Sequence, residues 1–129
     1  GISMSFTNFL ETEILDHVFA GAAYTAPGTH YLALFTGAPG ETGGGTEVSG
    51  GGYTRKAIAF TTSGATTSNN AAVEFPTATG NYGTVTHVAV FDAASSGNMM
   101  AYATLSASKV IETGDVFRVP TGDLDITLN

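Results

Sequence analysis

The sequence predicts a mainly β protein: an antiparallel β-sandwich, jelly-roll-like, of about eight short strands with one N-terminal α-helix. Three observations carry this. Apolar residues recur at spacings of three and four only between Ser5 and Phe19. After Pro27-Gly28 the pattern changes to short apolar or alternating runs divided by turn residues, the signature of a sandwich or barrel. The chain has 129 residues, 43% of them hydrophobic, which is one domain's worth with enough apolar surface to offset the entropy of ordering.

Each element follows in chain order. Gly1-Ile2-Ser3, ahead of Met4, reads as a cloning remnant, so the single sandwich domain is expected over 4–129 with its helix over 5–20. Phe6, Phe9, Leu10, Ile14, Val18 and Phe19 form one apolar stripe on that helix, Ser5 or Thr7 can cap its start, and Gly21 can end it. Tyr31 to Phe35 is apolar on both faces, as a buried central strand requires. Tyr53 to Phe60 sets Tyr53, Arg55, Ala57 and Ala59 on one face and Thr54, Lys56, Ile58 and Phe60 on the other. Further strands are expected at Ala71–Phe75, Thr84–Phe91, Met99–Leu105, Lys109–Glu112 and Val116–Val119. In the last, Asp123–Leu128, residues Leu124, Ile126 and Leu128 are expected to face inward. Asp92 to Gly97 reads as a hairpin loop, and Thr113-Gly114-Asp115 and Thr121-Gly122 as tight turns.

Charge narrows the function. Only 12% of residues are charged, about half the usual share, and 11 acids against four cations leave a net charge of -7. Arg55, Lys56, Lys109 and Arg118 are too few and too scattered to neutralise a run of phosphates, which excludes nucleic acid and anionic membrane as partners. No apolar run approaches the roughly 20 residues of a membrane span. With no Cys there is no disulfide framework, thiolate metal site or cysteine nucleophile.

Candidate chemistry is thin. His17, His30 and His87 lack metal-like spacing, and His87 shares a strand face with Val85, Ala89 and Phe91, so it reads as a hydrogen-bonded core or interface histidine. The Glu11/Glu13 and Asp123/Asp125 pairs read as solvated surface, since glycosidase work needs two carboxyls across a cleft. The triple glycines at 43–45 and 50–52 lack the following lysine or helix of a phosphate loop, and no G-x-S-x-G elbow occurs. No catalytic residue, metal site or cofactor is therefore expected.

One segment departs from the rest: 36–52 holds eight of the 17 glycines with Pro39, Glu41 and Glu47. A loop this long is either functional or a flexible crossing between strands. Its Glu41 and Glu47, with Tyr53 beside it, are the candidate binding loop for a host-surface glycan. Tyr24, Tyr31, Tyr82 and Tyr102 are further sugar-platform candidates, although half-buried packing is the commoner use of a sheet tyrosine.

Several strings are distinctive. MSFTNFLETEILDHVF (4–19), YLALFTGAPGETG followed by EVSGGGYTRKAIAF, FPTATGNYGTVTHVAVFDAASSGNMMAYATL (75–105) and TGDVFR (113–118) run in order along nearly the whole of 4–129. They resemble a family of small tailed-bacteriophage proteins commonly described as tail fibre proteins. The resemblance implies a structural virion component made in the host bacterial cytoplasm, not an enzyme, and brings no catalytic residues. Its expected partners are other phage virion proteins and copies of itself, through the helix stripe. Closed symmetry is the general expectation for such assemblies, here taken as a trimer. Capsid decoration on the phage head and glycan binding are the alternative roles.

Overall fold

Backbone pairing begins earlier than the helical period suggests. In the computed structural model, which describes residues 1–128, Ile2–Phe6 is a strand (β1) and the helix α1 spans Asn8–Phe19. Asn129, the last residue of the expected domain, lies outside the described residues. The helix thus starts at Asn8 and not at Ser5. Ile2, Met4 and Phe6 alternate with the exposed Ser3 and Ser5, a period of two that puts Met4 in the core. Thr7 supplies the N-cap, and its hydroxyl also donates to the Met99 carbonyl at 2.7 Å, fixing where the helix leaves the sheet.

The remaining strands are β2 (His30–Gly37), β3 (Thr46–Glu47), β4 (Lys56–Ile58), β5 (Phe60–Ser63), β6 (Thr66–Asn69) and β7 (Val73–Glu74). They continue with β8 (Gly83–Phe91), β9 (Met99–Ile111), β10 (Arg118–Val119) and β11 (Leu124–Thr127). Nine of them form one sheet, eight along the hydrogen-bonded path β3-β2-β8-β9-β1-β11-β6-β5 and β4 beside it on β2, while β7 and β10 make a small second sheet.

The turning point of that path is β1. Ile2 to Met4 pair in parallel with Leu124 to Ile126, whereas Ser5 and Phe6 pair antiparallel with Tyr102 and Ala101. One short strand thereby belongs to both halves. Leu32, Leu34, Val88 and Val90 from one half meet Leu124, with the half-buried Ile2, Phe60 and Ile126, from the other in a single core. The result is sandwich-like, as the sequence predicts, but the sheet is mixed and not purely antiparallel.

Face assignments hold where the ladder is regular. In β2, Leu32 and Leu34 enter the main core while Ala33 and Phe35 join Ala89, Phe91 and Met99 in a second cluster on the other face. They slip where it bulges. The pairing of β8 with β9 jumps from Val85–Lys109 to His87–Thr104, so that Leu105–Ser108 of β9 stand opposite Thr86 alone. The bulge reverses side-chain parity, so Val85 packs in the main core although Ala89 and Phe91, at alternating spacing from it, pack in the second cluster. His87 is half-buried, with Nδ1 and the Thr86 hydroxyl 2.7 Å apart. At the chain's end Leu124 is fully buried and Ile126 half-buried, but Leu128 lies past the last pairing of β11 and is 55% exposed, not inward.

Candidate functional site

Two regions were singled out from sequence, and the structure treats them oppositely. The glycine-rich segment 36–52 is tied to the body at several points. Thr46–Glu47 pairs with β2, Val48 is buried and its N–H donates to the Leu34 carbonyl at 2.9 Å. A Cβ at Gly45 would stand 2.7 Å from the Gly37 carbonyl oxygen, and one at Gly51 would stand 2.5 Å from that of Gly80. Both positions have positive φ, so these glycines permit a close backbone approach that side chains would block.

Glu47 and Tyr53 do come together. The Tyr53 hydroxyl donates to Glu47 Oε2 at 2.6 Å and accepts the Leu34 N–H at 3.0 Å. Arg55, two residues on and therefore on the same face, grips both Glu47 oxygens at 2.9 Å. Its remaining nitrogen donates to the carbonyls of Ala93 and Ser96 in the 92–98 hairpin, and its guanidinium lies 3.7 Å from the centre of the Phe91 ring. The Arg55 side chain is only 7% exposed. Burial tends to raise the Glu47 carboxyl, but the hydrogen bonds from Arg55 and Tyr53 and the Arg55 charge outweigh it and hold the group below its ordinary value. Burial first, and then the bond to Glu47, push the Tyr53 phenol far up.

Glu41 is not part of this cluster. Its carboxylate accepts from Tyr102 at 2.7 Å, and its carbonyl accepts the Asn8 N–H at the start of α1. The loop therefore ties the helix, β9 and the hairpin together, and the polar groups proposed for ligand binding are engaged within the chain. The sequence places Arg55 on the Tyr53 face of its strand but carries no sign of its partners Glu47 and the 92–98 hairpin.

The helix stripe, by contrast, is divided. Leu10 is buried, Phe9 and Ile14 are half-buried, and Phe6 sits on β1, half-buried against the core. Val18 and Phe19 are 60% and 81% exposed, joined by Leu15, which the stripe omitted. Val18 and Phe19 follow Leu15 by three and four residues, so the three share a face turned away from Leu10. Next to them an open groove of about 560 Å³ is lined by Phe6, Ile14, Leu15 and Leu128 together with Asn8, Glu11 and Thr12.

Other candidates are structural. Asp125 accepts from Ser68, within the β6–β11 pair, and Asn69 is a buried hub. Asn69 donates to the carbonyls of Ala71 and Pro120 and accepts the Leu124 N–H at 3.0 Å. Burial lowers the His30 imidazole, partly opposed by the Asp92 charge. Among the described residues no group of three His, Asp or Glu is placed to hold a metal ion.

A family model described as podophage GP4 fiber I protein gp80 matches residues 5–127. No curated protein matches the chain.

Proposed function

The chain belongs to the podophage GP4 fiber I protein gp80 family and is a phage tail fibre structural component; from that premise we propose that it works without catalysis, by self-association and attachment to the particle. The observation that carries this is the apolar face Leu15, Val18 and Phe19 beside the Phe6–Leu128 groove. Large apolar side chains grouped on a surface and rimmed by polar ones favour a partner, because covering them removes apolar area from water. Phe6, Phe9, Leu10 and Ile14 then act mainly by seating the helix, while Val18 and Phe19 of the original stripe, with Leu15, meet the partner.

Sedimentation equilibrium at micromolar concentration tests the reading. Oligomers, closed trimers being the simplest ring above a dimer, are expected. A strict monomer across the concentration range would count decisively against self-association. The family match favours the fibre over the capsid surface. Glycan recognition by Glu41, Glu47 and Tyr53 draws no support from the geometry, since each of these groups already has an internal partner.

A further inference from the structure

We infer that the chain has a further self-association contact, separate from the helix face: the free edge of β5 pairs antiparallel with the β5 edge of a second copy, about a two-fold axis at Thr61. Ala59 alone separates β4 from β5. Ile58 of β4 stands opposite His30 of β2, but the chain before His30 bends away at Gly28–Thr29, and among the described residues β5 pairs with β6 alone. The Asn70 N–H donates to the Ala59 carbonyl, and the ladder alternates from there. Thr61 and Ser63 therefore bond to β6, whereas Phe60 and Thr62 turn their N–H and C=O groups to the open edge.

Exposed sheet edges are ordinarily guarded by charge, Pro, bulges or very short strands. Such guards stand elsewhere in this sheet: β3 is two residues long with a register shift against it, and β4 carries Lys56. The small second sheet has two-residue strands with Glu74 and Arg118. The β5 edge, Phe-Thr-Thr-Ser, has none of them, and residues 57–73 hold neither a charged side chain nor Pro. In a chain of net charge -7, two copies meet here without bringing carboxylates together. Along the Thr61 row of the ladder the first carboxylate inward is Asp125, two strands away and bound by Ser68.

A second copy suits this edge because its outward residues lie symmetrically about Thr61. A two-fold axis there sets Phe60 of each copy opposite Thr62 of the other, and both pairs exchange backbone hydrogen bonds at once. Thr61 meets its counterpart in the close, non-hydrogen-bonded pair between them, where Thr–Thr contacts are favourable. Shifting the register by two residues instead brings Ile58, already opposite His30, or Gly64 of the turn against an outward residue. Beyond Phe60 an open gap of about 450 Å³ lies between Pro27–His30 and Ala57–Phe60, with room for the copy's small turn residues Gly64 and Ala65.

The chain has no Cys, so one introduced thiol reports one contact. Thr61 and Ser63 share an exposed face. Across the axis Thr61→Cys sets two thiols on Cα atoms about 4.5 Å apart, within disulfide reach, whereas Ser63→Cys sets them about 14 Å apart. Under mild oxidation Thr61→Cys is expected to form disulfide dimers roughly tenfold faster than Ser63→Cys, and to keep doing so when Leu15→Asp/Phe19→Asp blocks the helix face. Thr62→Pro removes an outward N–H without touching the bonds to β6, and added to Thr61→Cys it should abolish the linking. In the helix-blocked chain, Thr61→Lys keeps every backbone group but sets two ammonium groups face to face, and should convert a dimer to a monomer in sedimentation. Each variant is checked for unchanged circular dichroism. Linking no faster at 61 than at 63, linking that survives Thr62→Pro, or linking lost once the helix face is blocked overturns the separate edge contact, while the helix-face reading stands. An unmodified chain that stays monomeric at every concentration overturns both.

Discussion

The 36–52 loop and the α1 helix exchange the roles their sequences suggest. The loop is glycine-rich, long and without an apolar period, yet Glu47, Tyr53 and Arg55 satisfy one another and lock it to the 92–98 hairpin. The helix has a regular apolar period, yet only Leu10 of it is buried, and Leu15, Val18 and Phe19 face outward. A region's interaction capacity is set by which groups remain unpartnered after folding. Amphipathic pattern and loop length say only which groups were available.

The largest expected break of this contrast is at Arg55. Arg55→Ala leaves the Glu47 carboxylate without its fork and uncovers Phe91, and should lower stability by roughly 2–4 kcal/mol in chemical denaturation. Arg55→Lys keeps the charge but not the two-pronged grip and should recover only part of the loss. Asn69→Ala comes next, at about 2 kcal/mol, because it leaves the Leu124 N–H and two carbonyls without their buried partner.

Acid sharpens the comparison. The Glu47 carboxyl is held below its ordinary value of 4.5, so its contribution is full above that pH and is lost as pH falls through the lower folded value. His30 is also depressed, from 6.5, so the folded state resists its protonation and stability begins to decline as pH falls below that value. Denaturation midpoints measured from pH 7 to pH 3 should therefore fall in two stages, and Arg55→Met should flatten the second. The smallest effect on stability belongs to the helix face: Phe19→Ser should change it by no more than about 0.5 kcal/mol, while weakening association measured by sedimentation.

Much of the fold was legible, and its misses have local causes. The runs Tyr31–Phe35 and Thr84–Phe91 match β2 and β8 within a residue or two because both carry dense apolar side chains on two buried faces. Met99–Leu105 and Lys109–Glu112 read as separate strands because a four-residue bulge divides one strand between them. The β5–β6 hairpin was invisible: Thr61 to Ser68 carries no apolar alternation, and β5 ends the sheet with little of it covered. Thr46–Glu47 was missed for the same reason, being two residues at the opposite edge.

Composition and periodicity alone determined the fold class, the single helix and the central strands, since burying a regular apolar pattern leaves few alternatives. The missing cysteines likewise left no disulfide or thiolate to build with. What only the tertiary structure decided is pairing and exposure: that β1 turns parallel onto β11, that Arg55 reaches across to Glu47 and the hairpin, and that Leu15, Val18 and Phe19 are left uncovered. Those depend on contacts between residues tens of positions apart, and a local pattern carries no record of which distant partner will close over it.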